Sequence, residues 1–385
     1  MPNRPWCEPP RQAGKSACFI IFLLLFPISL PAQEYGEFQM VLDVNTLSAE
    51  KTIELYQGLY GRPDDIAQLR GSQIAVATTA MLAQRRLELA DLERALGAAK
   101  FNQSLGDDVF RMKDARQNVA AIRELFVELQ RRNFAQKVIG TVEQLFPAGS
   151  KVRARLPIYI VAFGHQNIDA FVRRVVWHGN TPVFVGEGEG ELTIVVNLAK
   201  AVYYGRTVDE RFVGLLSVVA HEVFHAAFGS YKDQSQVWRA YYAEHDSFFD
   251  HLLDLAHNEG IAYYLTLIQS SRGRLPADWQ EKISVAVATF NASAAELLSP
   301  NVSQRRAYDI LRTANTSGYW ENFGAITGMI IARQIDQTLG RTALRESIAA
   351  GPLSFFSTYA GLMQRDNSLP ALSPLILREL SHRNR

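Results

Sequence analysis

Cysteine is almost absent from this chain, and the position of the two cysteines limits the chemistry that the chain can perform. The 385 residues contain only Cys7 and Cys18. Beyond them there is no thiol for a disulfide, a cysteine nucleophile or a cysteine-ligated metal site. Any catalytic chemistry in the rest of the chain must therefore come from other side chains.

An excess of charge of one sign is also missing. The chain has 40 basic and 39 acidic side chains, a formal net charge of +1, and no block of like charge. Binding to nucleic acid generally needs a basic patch that neutralises phosphates. We therefore expect no nucleic-acid partner.

Long apolar runs are missing too, with one short exception near the amino terminus. Arg11 and Lys15 precede "ACFIIFLLLFPISLPA" (17–32), which has the layout of a secretory signal. Pro27 interrupts the apolar run well before the ~20 residues that a membrane-spanning helix needs. We predict a signal peptide over residues 1–32 and a secreted or periplasmic protein with no stable membrane span. An uncleaved membrane anchor is the alternative.

The remaining chain divides into helical and strand-like parts. Apolar residues recur at intervals of three and four over 65–100 and 114–146, which predicts packed helices. The chain is helical again from Val208 nearly to its end. Between these parts lie four short segments rich in β-branched residues, which predict the strands of one small sheet. These segments are 156–164, 172–179, 182–188 and 191–198.

These patterns predict an α+β fold that is mainly α-helical, with the small sheet ahead of a central helix. The segment "FPAGSK" (146–151) combines proline and glycine and ends the first helical part. We therefore place a boundary there, between an N-terminal helical region (33–150) and a second domain (151–385).

The segment "SVVAHEVFHAAFGS" (217–230) places three titratable residues in an otherwise apolar stretch. We predict a helix from 212 to 228 that ends at Gly229. His221 and His225 are one helical turn apart, so their imidazoles can bind one cation, and Glu222 can act on a water there. A helix that simply buries these groups would leave them unpaired, at about 1–3 kcal/mol each. The pattern therefore favours Zn²⁺ as a cofactor and Glu222 as a general base.

A third protein ligand should follow, because catalytic zinc sites usually have three. The stretch 241–267 holds many candidates, and residue type alone does not choose among them. A solvated helix face is the alternative interpretation for most of them, and Asp254 or Glu244 could instead accept a hydrogen bond from a zinc-bound imidazole. The candidates are Glu244, His245, Asp246, His251, Asp254, His257 and Glu259.

The segment "HNEGIAYY" (257–264) resembles the N-E-G-x-A segment of the gluzincin metallopeptidases. In that group the glutamate is the third zinc ligand and comes from a second helix, which implies Glu259 here. Familiar members have a shorter interval from the second histidine, which Glu244 would fit. We choose Glu259 and attribute the longer interval to an inserted helix within 233–253.

The resemblance implies further features of the fold and the site. The resemblance predicts a zincin-like metallopeptidase core over 151–385 and a cleft-lining edge strand within 190–202. An ordinary strand of the sheet is the alternative interpretation of that segment. The segment 318–359 is similar to the C-terminal helices of little-characterised bacterial proteins described as zinc-dependent peptidases. In gluzincins a tyrosine or histidine from that part often stabilises the oxyanion, which implies Tyr319, with Tyr263 and Tyr264 behind it. A tyrosine beside Trp320 can equally be a packing aromatic.

The chain also departs from the gluzincin pattern. It has no G-x-M-E-N segment, which grips a free amino terminus in zinc aminopeptidases, and Tyr263 stands where thermolysin-type sequences have an aspartate. We therefore expect a zinc peptidase that cuts peptides or proteins internally. The alternatives are a zinc-containing domain that binds peptides without cutting them, a zinc hydrolase of another bond, and a metal-free helical protein.

Overall fold

The computed structural model describes residues 38–59, 61–103, 106–167, 169–186, 188–316 and 322–383. The predicted signal peptide, both cysteines and Tyr319 lie outside these ranges, so the predictions made for them stay predictions.

In the described residues the strands form one five-stranded mixed sheet, in the order β1-β2-β5-β3-β4. Strand β2 is parallel to β1 and β5, whereas β3 is antiparallel to β5 and β4. The strands are β1 (Phe38–Asn45), β2 (Val152–Val161), β3 (Ala170–His178), β4 (Thr181–Val185) and β5 (Glu191–Asn197).

Four of these strands agree with the sequence prediction, and β1 was missed. Its sequence FQMVLDVN pairs with β2 over its whole length and buries Met40 and Leu42. The sheet therefore contains chain from both sides of the boundary placed near residue 150.

The prediction of a cleft-lining edge strand within 190–202 is wrong. Strand β5 lies between β2 and β3 and is hydrogen-bonded to both, so the edges of the sheet are β1 and β4. Ile194, Val195 and Val196 are all buried. A continuous run of buried β-branched residues is typical of a strand covered on both faces.

The described residues also contain seventeen α-helices, which confirms a mainly helical α+β fold. They are α1 (Leu47–Tyr56), α2 (Pro63–Ala67), α3 (Arg70–Leu82), α4 (Leu89–Lys100), α5 (Met112–Gln117), α6 (Val119–Arg131), α7 (Phe134–Glu143), α8 (Leu198–Ala201), α9 (Val208–Gln234), α10 (Gln236–Glu244), α11 (Phe248–Ser271), α12 (Trp279–Leu297), α13 (Gln304–Thr316), α14 (Phe323–Leu339), α15 (Arg341–Ala350), α16 (Pro352–Met363) and α17 (Pro374–Arg383).

Helix α9 carries the H-E-x-x-H segment and is longer than predicted. A capping box of Thr207 and Glu210 starts it, and it continues through Gly229, which we had expected to end it. Beyond Gly229, the Ser230 hydroxyl bonds to both the N–H and the carbonyl of Arg153 in β2, at 2.8 and 2.9 Å. This contact with the sheet holds the last turns in place.

The apolar character of α9 reflects its place in the protein core. By length and composition alone it could cross a membrane, but 56% of its most apolar window is buried within the protein. Phe224 and Phe228 pack on Phe146, with ring centroids 5.7 and 6.3 Å apart respectively. Protein packing therefore accounts for much of its hydropathy.

Helices α11 and α14 cross at two glycines. A Cβ on Gly260 would lie 2.2 Å from the carbonyl carbon of Gly328, and a Cβ on Gly328 would lie 1.7 Å from the Ala256 oxygen. No side chain fits between these backbones. Gly260 directly follows Glu259, so this crossing also fixes the position of Glu259 relative to α14.

We expect Gly328→Ala to destabilise the fold by more than about 2 kcal/mol, since overpacking of this severity forces the helices apart. Gly361→Ala in α16 is the matched control, because a Cβ there meets nothing within 4 Å and alanine favours the helix. Denaturant unfolding measures both free energies. Equal stability of the two variants would contradict the close crossing.

Candidate metal centre

Helix α9 presents His221 and His225 side by side on its accessible face. Their Nε2 atoms are 3.1 Å apart. The opposite face of the helix is buried through Val219 and Val223. The two imidazoles thus lie at the border between the core and solvent, with 16% and 24% of their side chains exposed.

Helix α11 brings Glu259 to the same point. Its Oε2 atom is 3.4 Å from Nε2 of His225 and 3.8 Å from Nε2 of His221. A capping box of Ser247 and Asp250 starts α11 three turns earlier, so the register of Glu259 is fixed by both the cap and the glycine crossing. The three donor atoms all lie within 4.8 Å of one another.

These distances fit a tetrahedral zinc ion. Ligand atoms about 2.0–2.2 Å from a tetrahedral zinc lie roughly 3.3–3.6 Å from each other. The three observed separations of 3.1, 3.4 and 3.8 Å lie around this range. Two imidazoles and one carboxylate are also a ligand set that catalytic zinc sites use.

Asn258 sets the orientation and the tautomer of His225. Its Oδ1 atom is 3.1 Å from Nδ1 of His225. An amide oxygen only accepts, so Nδ1 carries the hydrogen, and in the neutral ring Nε2 keeps its lone pair toward the centre. Asn258 therefore prepares His225 to bind a cation.

Electrostatics at the centre favour a bound positive charge. Burial lowers the pKa of His225, but the charge of Glu259 and its hydrogen bond raise that pKa to about 9. Burial likewise raises the pKa of Glu259, yet the charge of His225 and other contacts hold it at about 2. Burial and the neighbouring His225 lower the pKa of His221 to about 4. Glu259 thus stays ionised and draws either a proton or a metal cation to the site.

Glu222 lies beside this centre with a pKa suited to proton transfer. Burial raises its pKa to about 7; the charge of His225 opposes this rise, those of Glu259 and Asp169 add to it, and that of Arg173 opposes it. A group whose pKa is near neutrality can accept a proton and give it up again. Asp169, which precedes β3, and Arg173 in β3 are two charged neighbours that sequence reasoning missed.

A chain of polar contacts supports the centre from α13 and α14. The Asn315 side chain hydrogen-bonds to the Glu259 carboxylate. The buried Asn322 amide donates to the Asn315 carbonyl at 3.0 Å and to the Tyr263 hydroxyl at 3.4 Å. Asn322 also caps α14 through Ala325 N–H. Helices far apart in sequence thus hold Glu259 in place.

Tyr263 and Tyr264 have different surroundings. Tyr263 stands edge-on to His221, with ring centroids 5.0 Å apart, where thermolysin-type sequences have an aspartate. A hydrogen bond with the backbone of Ala262 raises the pKa of His221 and so partly opposes the lowering caused by burial. Tyr264 instead donates to Asp336 at 2.6 Å, so its hydroxyl is held by a carboxylate of α14. Of the two, only Tyr263 contacts a residue of the centre in the described part of the chain.

The other acidic candidates lie outside the metal centre. Glu244 is exposed at the end of α10 and is not part of the three-residue group. Asp254 is bound to Lys232 at 2.6 Å and to Tyr242 at 2.8 Å. Asn258, rather than Asp254 or Glu244, accepts the N–H of His225, so neither carboxylate has the role that we considered for it at this imidazole.

The histidine candidates are accounted for by other contacts. His245 lies 3.7 Å from Asp250, and the exposed His251 lies 3.3 Å from Asp246. His257 is fully buried, stacked on Trp238 and packed against Phe355. Neither of its ring nitrogens has a hydrogen-bond partner among the described residues. It is a core histidine.

A short helix explains the long interval between the ligand candidates. Helix α10 (Gln236–Glu244) lies between α9 and α11 and is the insertion expected within 233–253, although it covers only part of that range. Trp238 of α10 is buried and donates to the Ile348 carbonyl at 2.9 Å. The insertion therefore packs on α15 and leaves Glu259 at the centre.

Comparison with known protein families agrees with a zinc site. A family model described as "Putative zinc dependent peptidase (DUF5700)" matches residues 54–368. The match covers more than half of the chain, so the chain belongs to this family. The family description and the His/Glu triad together identify zinc as the cofactor. Searches of the curated proteins and of the solved structures give no match.

We expect Asn258→Ala to lower zinc affinity about ten- to a hundredfold, because His225 would lose the partner that orients its ring. Competition with a fluorescent chelator measures the affinity. His251→Ala on the same helix is the control and should leave the affinity unchanged, since that side chain is exposed and away from the centre. An unchanged affinity for Asn258→Ala would refute the orienting role.

His257 should make the fold sensitive to mild acid. Burial depresses its pKa far below 6.5. Below about pH 6.5 the imidazole is therefore protonated in the unfolded chain while it stays neutral in the folded chain. Stability from this group is present above about pH 6.5 and is lost as the pH falls, by up to about 1.4 kcal/mol per pH unit. In His257→Phe this loss should disappear. Denaturant unfolding at several pH values tests it, and parallel curves for the two proteins would rule it out.

Proposed function

We propose that this chain is a zinc-dependent endopeptidase of the gluzincin kind, with His221, His225 and Glu259 as the metal ligands and Glu222 as the general base. The observation that carries this proposal is the convergence of three donor atoms within 4.8 Å beside a glutamate with a pKa of about 7. A pure binding site has no need of such a base.

The chemistry follows from the placement of these side chains. A zinc ion bound at this centre would act as a Lewis acid toward a peptide carbonyl and a water molecule. The Glu222 carboxylate accepts the proton of the water that attacks the carbonyl carbon, and then delivers it to the nitrogen of the departing amine. Asn258 and Asn315 keep His225 and Glu259 in position while this occurs.

The resemblance to gluzincins supports the finer assignment. The third ligand is a glutamate on a second helix, within an N-E-G segment whose asparagine and glycine both have structural roles here. Tyr319 remains our proposal for the residue that stabilises the oxyanion, on the resemblance alone. The substrate that we propose is a peptide or protein, cut internally because the chain lacks a terminus-binding G-x-M-E-N segment.

We also propose that the protein acts outside the cytoplasm, in the periplasm or as a secreted enzyme. The support is the basic and then apolar leader at the amino terminus.

The test combines metal analysis with a quenched-peptide library. We expect one zinc per chain and peptide cleavage in the wild type. Glu222→Gln should retain zinc and lose at least about a hundredfold in kcat, because it removes the proton acceptor but no ligand. Glu244→Gln is the matched control and should keep full activity, since that glutamate is exposed and distant from the triad.

Zinc without cleavage of any peptide would contradict the proposal and favour a binding domain. Cleavage that survives Glu222→Gln would contradict the assignment of the base.

A further inference from the structure

Lys232 of α9 is a buried cation enclosed by aromatic rings. Its Nζ atom lies 4.5 Å from the ring centre of Phe228 in α9 and 4.4 Å from that of Trp238 in the inserted helix α10. Both rings are fully buried, and only 10% of the lysine side chain is exposed. A lysine is rarely buried to this extent without an anion beside it. The charge therefore needs a partner inside the protein.

That partner is Asp254 of α11, and its carboxylate is shared between two helices. Oδ1 of Asp254 accepts from Nζ of Lys232 at 2.6 Å, and Oδ2 accepts from the Tyr242 hydroxyl of α10 at 2.8 Å. Hydrogen bonds to an ionised carboxylate are short and directional. One side chain of α11 is thus tied to both α9 and α10. We name these three residues the Lys232 clamp.

The Lys232 clamp lies along the same helix interface as the metal centre. Lys232 follows His225 by seven residues in α9, and Asp254 precedes Asn258 by four residues in α11. Seven and four residues are about two turns and one turn, so each clamp residue lies on the same side of its helix as the residue of the centre. His225 and Asn258 are themselves hydrogen-bonded at 3.1 Å. The two helices are therefore tied together twice, at the centre and about 10 Å further along α9.

The Lys232 clamp bears on a distance that the glycine crossing does not set. The Gly260–Gly328 contact holds α11 against α14, whereas His221 and His225 lie on α9. A zinc site needs its donor atoms within about 0.2 Å of their ideal distances from the metal. Directional contacts between α9 and α11 close to the centre can supply that precision.

We propose that the Lys232 clamp positions Asn258 and Glu259 against His225 for zinc binding. Its members act through the backbones of α9 and α11, so they are positioning residues and not ligands. The inserted helix α10 then supports the metal centre, because it supplies both Tyr242 and a ring that covers the lysine. This inference rests on the ligand set of the proposed function and on no particular substrate.

The first test is Asp254→Asn, which keeps the shape of the side chain and leaves Lys232 without its anion. We expect the zinc affinity, measured by competition with a fluorescent chelator, to fall about ten- to a hundredfold. Asp336→Asn is the matched control, because Asp336 of α14 also accepts from a tyrosine and a cation, Tyr264 and Arg341, both at 2.6 Å. Neither of those partners is on α9, so this variant should lose stability and keep its zinc affinity. An unchanged affinity for Asp254→Asn overturns the inference.

Cobalt in place of zinc reports the geometry of the ligands, because the visible absorption of Co²⁺ depends on its coordination. With the site saturated, Asp254→Asn should have bands that differ from those of the wild type in position or intensity. Asp336→Asn should have the wild-type bands. Identical spectra for the three proteins contradict the inference.

A double variant separates positioning from folding. Lys232→Met together with Asp254→Leu replaces the ion pair by apolar side chains of similar volume, which should recover the stability that Asp254→Asn loses. We expect its zinc affinity to stay low, because the directional contact between α9 and α11 is still missing. Recovery of both stability and affinity would mean that the ion pair serves folding alone, and the inference would be overturned.

The proposed function can fail separately from this inference. A wild type that binds zinc but cuts no peptide refutes the peptidase, while the affinity and cobalt measurements still decide the role of the Lys232 clamp. Zinc bound with wild-type affinity by His221→Ala refutes the ligand set, and the inference falls with it.

Discussion

Three electron-rich atoms are held together where α9 and α11 meet, and a cation is what makes that arrangement stable. The Nε2 atoms of His221 and His225 and the carboxylate of Glu259 approach within 3.1 to 3.8 Å of one another. Without positive charge between them, their lone pairs would repel. The raised pKa of His225 shows that the site attracts even a proton strongly. A zinc ion supplies the positive charge that these three atoms need and binds them with a fixed geometry.

The surrounding fold holds His221, His225 and Glu259 in position. The Gly260–Gly328 crossing lets α11 and α14 touch backbone to backbone. This contact fixes how far along α11 the Glu259 side chain lies from α14. Asn322 then joins the start of α14 to Asn315 and so, indirectly, to the Glu259 carboxylate. On the other side the sheet packs against α9 and brings β3 toward Glu222. The centre is thus built by helices and a strand that are rigid elements, which suits a site that must keep its geometry.

The parts of the site that could be predicted from the sequence are those formed by residues close together in the chain. His221, Glu222 and His225 lie within two turns of one helix, and Asn258 and Glu259 are adjacent, so periodicity and a short motif suffice to find them. Local residues also chose Glu259 over Glu244 correctly as the one that lies by the histidines, although the interval favoured Glu244.

The parts that sequence missed depend on tertiary contacts. Asn315 reaches the Glu259 carboxylate from a segment with no motif of its own. The end of α9 was placed too early because the bonds of Ser230 to β2 are invisible in sequence. Strand β5 was taken for an edge strand, although its run of buried β-branched residues indicates a central one.

A crystal structure of the zinc-loaded protein, with anomalous scattering recorded at the zinc absorption edge, tests this account most directly. The account predicts one strong anomalous peak about 2.0–2.2 Å from Nε2 of His221, Nε2 of His225 and a carboxylate oxygen of Glu259. A peak ligated by Glu244 or by another histidine in place of Glu259, or no peak between the two helices, would contradict it.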